Sequence, residues 1–572
     1  MKFITKLIGS HITLFLIAMF FLTIETLADL MQPAFMARVV DDGVKGQDIQ
    51  QILHYGVIML GIAALGAVGA VMRNIFASRT SQLIGKELRG NLYKKVQTLS
   101  FENIDHLQPA SIITRITNDV TQIQNFINGS MRIMMKAPIT CIGAIVLIII
   151  QTPKQFPVMA VILCISAILI GANMKLGYHR FGRLQQKLDK LNTVSREFLS
   201  SIRVVKAFNA EEQESIRFAG AAGEFADAGI SAMRVLAVFS PLINLTVNMG
   251  IVLLIWLSQS QDAGQIGRLM ASVNYMTQVL FALGMVSNIL NSAVRATASS
   301  ERVQEILNEQ SNQQIPINPL SLDVKGEITF KDVTFHYIHS LKSAVEHLNF
   351  TAYRGETIGI IGPTGSGKTT LINLVPRFYD ATEGQVLIDG LDVTQIDTNV
   401  LRNAIAVVPQ KALLFSGTIM ENIRWGNEKA TEEEIISASK IAWADEFVKG
   451  FSKGYLTELG QGGVNISGGQ KQRLSIARAL LRKPCILILD DCTSSLDAST
   501  ESEVLKGIRK QASSMTVLLI SQRISTVMRA DRILCLEDGK LLGFGTHKEL
   551  MENCSTYQAI YSSQIGGETV GQ

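Results

Sequence analysis

The sequence predicts two unlike folds in one chain: an α-helical membrane domain of six spans, followed by an α/β P-loop domain. Three observations carry this expectation. The chain has 572 residues, more than a single hydrophobic core ordinarily organises. Its apolar residues are unevenly spread, with long runs confined to the first 300 positions. Beyond residue 325 the pattern changes to short apolar strands alternating with helices, one strand leading into a glycine-rich turn.

A helix that crosses the hydrocarbon core needs roughly 20 mainly apolar residues. Six stretches qualify, at about 12–36, 53–77, 131–151, 156–174, 231–258 and 268–292. The first is followed by five more and by no small-residue cleavage site, so it is expected to be retained as a helix. Ahead of it, MKFITKLIG interleaves Phe3, Ile4, Leu7 and Ile8 with Lys2 and Lys6, the pattern of a short amphipathic helix at a membrane surface.

Orientation follows from the basic residues. Arg79, Lys86, Arg89, Lys94, Lys95 and Arg115 fall between spans two and three. Arg180, Arg183, Lys187, Lys190, Arg196, Arg203 and Lys206 fall between spans four and five. The opposite loops, DDGVKGQD (41–48), TPK (152–154) and SQDAGQ (260–265), are short. The positive-inside rule places both termini, both long segments and the P-loop domain in the cytoplasm. Those long segments keep helical spacing, as in FLSSIRVVKAF (198–208), so spans two to five should continue beyond the bilayer as a stalk.

Gln32, Asn244, Asn248, Asn274, Gln278 and Asn288 lie within the spans, where they either line a substrate cavity or hydrogen-bond between helices. Of 20 methionines, 16 precede residue 310, which suits a permissive pocket and equally suits lipid-facing packing. The net charge of +4, from 53 basic and 49 acidic residues, lacks the basic excess of a nucleic-acid binder. Cys141, Cys164, Cys485, Cys492, Cys535 and Cys554 show no C-x-x-C or metal-ligand spacing and are expected to be reduced thiols.

SNQQIPINPL (311–320) reads as a polar linker after the last helix. The expected boundaries are thus 1–310 for the membrane domain, 311–325 for the linker and 326–572 for the soluble domain. In ETIGIIGPTGSGKTTLINLV (356–375), a strand, a turn and a helix carry G-x-x-x-x-G-K-T at Gly362, Gly367, Lys368 and Thr369. The turn residues Gly362, Pro363, Thr364, Gly365, Ser366 and Gly367, with Thr370 beyond them, let backbone N–H groups face phosphates at a helix N-terminus. Lys368 is placed to reach the β- and γ-phosphates of ATP, and the Thr369 hydroxyl to ligate Mg²⁺. ILILDD (486–491) delivers Asp490 at a strand end, as a carboxylate that helps to hold Mg²⁺ should be. Between them, NISGGQKQRLSIARALL sets Ser467, Gly468, Gly469 and Gln470 at a helix start. That is a second anion site, and one fold needs only one phosphate cradle, so it should face another nucleotide.

ISGGQ followed by ILILD and SSLD makes the chain resemble an ABC transporter half of the exporter type over nearly its whole length, similar to the degenerate-site subunits of bacterial heterodimeric multidrug exporters. The resemblance implies an ABC-type ATPase fold with a small antiparallel β subdomain and a helical subdomain. It implies that Tyr337 stacks on adenine, that Gln410 senses Mg²⁺, water and the membrane domain, and that Asp497 meets the opposite subunit. ISGGQ would cover ATP held by a partner's P-loop, so a second subunit is required. Cytoplasmic turns near 105–115 and 207–215 would dock on ATPase domains. TELGQGG (457–463) matches the family's contact segment, with Gln461 where glutamate is usual.

Two further departures bear on chemistry. The family's general base is the glutamate after the Mg²⁺ aspartate; here Asp491, one methylene shorter, would stop about 1–1.5 Å short, at a cost of about 10²-fold. The switch histidine is replaced by Gln522, which can hydrogen-bond a phosphate but cannot carry a proton. Together they predict a site that holds ATP and seldom cleaves it, within a heterodimer whose partner supplies the working base. The alternatives are a homodimeric exporter and an ATP-gated regulator or channel-like protein. Hydrophobic or amphipathic molecules, drugs or lipids, are the expected cargo, and membrane lipid the expected surroundings.

Overall fold

The computed structural model describes residues 2–153, 156–258, 266–313, 320, 323–338, 340, 342–511 and 515–565, without the side chains of 2, 257–258, 284 and 286–291. SQDAGQ, Lys154 and much of the expected linker therefore lie wholly or largely outside the described residues, as does the side chain of Asn288. Two compact units result. One comprises Met1–Gln97 and Pro109–Asn308, the other Thr98–Gln108 and Glu309–Gln572.

The first unit is helical. Its elements are α1 (Lys2–Ser10), α2 (Ile12–Arg38) and α3 (Ile49–Gln97). After α4 (Phe101–Leu107), which belongs to the second unit, come α5 (Pro109–Thr114), α6 (Val120–Gly129) and α7 (Lys136–Gln151), joined by π-helical turns at Arg115–Asp119 and Ser130–Met134. Then follow α8 (Phe156–Ser200), α9 (Ile202–Ala207), α10 (Glu211–Ser258) and α11 (Ile266–Asn308). In α3, α8 and α10, 49, 45 and 48 residues form single helices. At 1.5 Å per residue each is about twice as long as the ~30 Å hydrocarbon core. These lengths leave residues over for the stalk expected from the sequence.

Among the described residues, five helical stretches are long and apolar enough to cross a membrane: Ile12–Val44, Ile49–Gln97, Pro109–Gln151, Phe156–Ser200 and Glu211–Trp256. The sixth expected span, 268–292, falls on α11 but is not among these five. Positions 284 and 286–291 of that span lie outside the described side chains. DDGVKGQD is not a free loop either. Val39–Val44 continues α2 as a π-helical turn, and the Asp41 carboxylate accepts from Gly267 N at 2.6 Å and Arg268 N at 3.2 Å, capping α11.

Within the spans the sequence reading missed a charge cluster centred on buried Glu25 and Arg73. Glu25 Oε2 lies 2.7 Å from Arg73 Nε, and Lys136 Nζ lies 2.7 Å from Glu25 and 2.8 Å from Asp29. Glu25 and Asp29, one turn apart on α2, thus neutralise cations brought by α3 and α7. Ionisable groups in apolar surroundings persist when paired in this way.

The second unit is built on two sheets. Its strands are β1 (Ile328–Phe335), β2 (Val345–Ala352), β3 (Thr357–Ile361), β4 (Glu383–Ile388), β5 (Leu391–Asp392), β6 (Ile405–Val408), β7 (Gly417–Thr418), β8 (Glu458–Leu459), β9 (Ile486–Asp490), β10 (Thr516–Ile520), β11 (Arg532–Glu537) and β12 (Lys540–Gly545). The larger sheet has the order β12-β11-β3-β10-β9-β6, parallel except for β12. Every residue of β3, β9 and β10 is buried, which explains their unbroken apolar runs. The smaller antiparallel sheet is β2-β1-β4-β5. Helices Ile419–Arg424, Glu432–Ile441 and Asp445–Lys449 gather around Gly468–Leu481 as a helical subdomain over a shared apolar core.

Helix α4 docks on this unit. Ser100 and Asn103 form a reciprocal capping box at its start, and Asn103 Nδ2 donates to Glu309 Oε1 at 2.8 Å. Tyr379 Oη donates to Asp105 Oδ2 at 2.6 Å, and the Phe101 and Phe378 rings lie 4.6 Å apart. The docking element expected near 105–115 is therefore 101–107; Pro109 already starts the next rod of the first unit. The other expected turn, 207–215, joins α9 to α10 and presents Phe208 at 79% exposure.

Candidate functional site

The glycine-rich turn connects the buried end of β3 to the helix Lys368–Leu374. Gly367 has φ +91°, and a Cβ there would meet the Ala344 carbonyl oxygen at 2.4 Å. Only glycine fits, which is why the turn can bend tightly enough to point its N–H groups inward. A pocket of about 360 Å³ opens over it. Thr364, Gly365, Ser366, Gly367, Lys368, Thr369 and Thr370 form its floor; Tyr337, Gln410, Asp490, Asp491 and Gln522 form its walls. The turn, both acidic residues and both glutamines expected from the sequence are thereby brought together. Gly362 and Pro363 sit just behind, their carbonyls accepting from Lys368 Nζ at 2.9 and 2.6 Å.

Charge is arranged for an anion with a cation beside it. Thr369 Oγ1 lies 3.2 Å from each Asp490 oxygen. These hard oxygen donors, with the nearby amide of Gln410, fit a Mg²⁺ ion. Burial pushes the Asp490 carboxyl up, the Thr369 hydroxyl opposes this, and the charge of Asp491 adds to it. Burial pushes Asp491 up as well, and it pushes Lys368 down against the two carboxylates. A bound cation would relieve the carboxylates.

Asp491 has φ +43°, with its N–H donated to Ile520 O at 3.0 Å. Its Oδ2 accepts from Gln522 Nε2 at 3.0 Å and from Gln410 Nε2 at 3.3 Å. Two glutamine amides thus converge on the Asp491 carboxylate. Tyr337 lies beside the turn, its hydroxyl 3.2 Å from Thr370 Oγ1.

The second expected anion site stands apart. Ser467 caps the helix Gly468–Leu481 through a reciprocal pair with Gln470; Ser467 and Gly468 are exposed and Gly469 is half-buried. None of the four lines the pocket of its own chain. A Cβ on Gly469 would lie 3.1 Å from Ser495 O, so the turn packs closely against SSLD. Asp497 is exposed there, and the Ser499 hydroxyl and Thr500 backbone hold its carboxyl well below the usual range. Gln461 is exposed on the 3₁₀ turn that follows β8.

Sequence reasoning missed the links between these parts. Gln472 Nε2 donates to Gln410 O at 3.3 Å, while Gln472 Oε1 accepts from the Ser495 hydroxyl. Arg523 donates to the Ser494 and Leu496 carbonyls at 3.0 and 3.2 Å and pairs with buried Glu501 at 2.8 Å. Gln564, from the C-terminal helix Ser555–Gln564, donates to Gln522 O and accepts from Ile524 N, both at 2.8 Å. No periodicity or motif marks such pairings; only the fold makes them.

Comparison with known proteins agrees with this geometry. Residues 15–283 match the family described as ABC transporter transmembrane region, and 345–494 the family described as ABC transporter. The chain is 39% identical over 555 residues to "Uncharacterized ABC transporter ATP-binding protein YfiB" of Bacillus subtilis, covering 96% of each. It is 32% identical over 502 residues to "Putative multidrug export ATP-binding/permease protein YgaD" of the same species, covering 86% of each. Among solved structures, that of a bacterial Atm1-family ABC exporter with ATP bound superposes with a TM-score of 0.77 at 26% identity, covering 96% of this chain and 97% of that one.

Proposed function

Because this chain belongs to the ABC transporters, a multi-span membrane protein with a cytoplasmic ATPase that couples ATP hydrolysis to transport, we propose that it is one half of a paired exporter of hydrophobic or amphipathic molecules. The observation that carries the pairing is the position of Ser467, Gly468 and Gly469: at a helix N-terminus, open to solvent at Ser467 and Gly468, and absent from the lining of the chain's own pocket. Helix N-termini of this kind bind phosphate, so the turn serves nucleotide on another chain.

In the chain's own pocket, the N–H groups of 364–369 and the ammonium of Lys368 cradle the phosphates, and Tyr337 flanks the base. Thr369, Asp490 and Gln410 would hold Mg²⁺, which neutralises charge on the β- and γ-phosphate oxygens. Gln410 and Gln522 orient Asp491 toward the attacking water without themselves exchanging a proton. We read this pocket as the retaining site of an unequal pair, whose other half brings the full-length base. Phe208 and its turn would meet the partner's ATPase unit.

A pair of identical chains is the second reading. The end-to-end likeness to chains that also join one membrane unit to one ATPase unit favours it. Phosphate release from the full chain purified alone in nanodiscs separates the two: slow turnover supports unequal partners, and robust turnover supports identical ones. Loss of ATP-driven dye uptake by inside-out vesicles on deletion of the chain tests the exporter reading itself.

A further inference from the structure

The helices α2, α3, α7 and α11 enclose a second pocket, of about 420 Å³, within the membrane unit. Its lining carries several acceptors without a partner among the described residues. Lys136 spends two of its three donors on Glu25 and Asp29, and Glu25 is held in turn by Arg73. That leaves Asp29 as the exposed carboxylate of the cluster, at 43%, and its Oδ1 accepts no hydrogen bond among the described residues. Asn274 donates its amide to Met270 O at 3.2 Å, and Gln278 donates to Asp29 O at 3.4 Å. Neither amide oxygen accepts a bond there, and Gln278 Oε1 is buried without a partner.

Thr140, only 8% exposed, also lines this pocket with a buried hydroxyl that has no partner. A buried polar atom left unsatisfied is costly, and its natural complement is a ligand. Facing these oxygens are soft apolar groups: Met59, Met285 and the ring of Phe281, which is 69% exposed. An aromatic face and thioethers suit the chain of an amphipathic molecule and tolerate a nearby cation.

We propose that this pocket takes an amphipathic molecule whose head is a protonated primary or secondary amine. Its N–H groups donate to Asp29 Oδ1 and to the amide oxygens of Asn274 and Gln278, while its tail lies along Phe281 and Met285. A quaternary ammonium has the charge but no donor and leaves those oxygens unpaired; an alcohol has a donor but no charge for Asp29. The site therefore selects among amphipathic cations by N–H count, a narrower choice than the exporter reading on which it rests.

The test is equilibrium binding to the full chain in nanodiscs without nucleotide, with empty nanodiscs as the partition control. Three fluorescent probes share one alkyl chain and end in a primary amine, a trimethylammonium or a hydroxyl group. The wild type should bind the amine about tenfold or more tightly than either analogue, the scale of one charge-assisted hydrogen bond. Asp29→Asn, which keeps the size of the side chain and an acceptor for Lys136, should bring the amine to the level of the trimethyl probe. Gln278→Leu should narrow the preference while leaving the trimethyl probe unaffected. Equal binding of amine and trimethyl probes by the wild type would overturn the proposal, as would an amine preference that survives both substitutions. Neither a partner nor ATP turnover enters this measurement, so its failure is distinct from a failure of the exporter reading.

Discussion

Replacing Asp491 by Glu and Gln522 by His should turn the chain purified alone from a slow into a competent ATPase. The carboxylate of Asp491 is already aimed, because Gln522 and Gln410 donate to its Oδ2 at 3.0 and 3.3 Å. Its backbone cannot advance it: the residue sits at φ +43° with its N–H tied to Ile520 O. Reach must come from the side chain, and one methylene projects about 1.3 Å from a bond of ~1.5 Å. The longer side chain has somewhere to go, since Asp491 borders a pocket of about 360 Å³. Correcting a misplacement of about 1 Å is worth about 10²-fold in rate, or about 2.7 kcal/mol of barrier. Histidine at 522 should add to that by giving the γ-phosphate a neighbour able to exchange a proton. The assay is phosphate release at saturating Mg-ATP in nanodiscs, with Lys368→Ala added to the double variant as background. A double variant no faster than the wild type would refute the reasoning, because geometry and proton transfer would both have been restored without effect.

Ser467→Ala removes a helix cap worth ~1 kcal/mol and, in the paired complex, a donor to the partner's γ-phosphate; turnover should fall about 10²–10³-fold. Lys368→Ala, assayed beside it, should lower trapped nucleotide more than turnover, and the reverse order would exchange the two sites. Tyr379→Phe deletes the 2.6 Å hydrogen bond to Asp105 while keeping the ring beside Phe101. It should weaken docking of α4 by about 1–3 kcal/mol, read as faster proteolysis or hydrogen exchange at 98–108. Glu224 bonds Lys187 and Lys190, which hold its carboxyl down at about 2 against an ordinary 4.5. A depressed carboxyl stabilises the fold above pH 4.5 and loses that contribution as pH falls toward 2. Glu224→Gln should therefore flatten the acid limb of a Tm-against-pH curve, and an unchanged limb would assign no role to this pair.

The strands that deliver the site were legible because burial on both faces leaves an unbroken apolar run, as in TIGII and ILILD. The glycine turn was legible because only glycine reaches φ +91° at Gly367. The charge cluster was not, since Glu25 and Asp29 are diluted in a long apolar stretch and their cations arrive from two other helices. The docking helix lay close to its expected position, and its start was written in Ser100-x-x-Asn103, a capping box with asparagine in place of glutamate. α11 formed where a sixth span was expected, and Asn274, Gln278 and Phe281 on it line the membrane pocket. The bonds of Gln472, Arg523 and Gln564 join residues 22 to 62 positions apart, beyond any local pattern.

The Gln472 amide has a consequence for how two nucleotides would influence each other. One of its ends holds the main chain of Gln410, in the wall of the P-loop pocket; the other holds Ser495, against which the ISGGQ turn packs. An occupant that draws Gln410 inward therefore tugs on the helix offered to a neighbouring chain, and a nucleotide gripped by that helix tugs back on Gln410. Linkage requires the two effects to be equal in free energy. Whatever factor ATP in this pocket adds to the affinity of the other, the other must return, even if only one of them is ever cleaved.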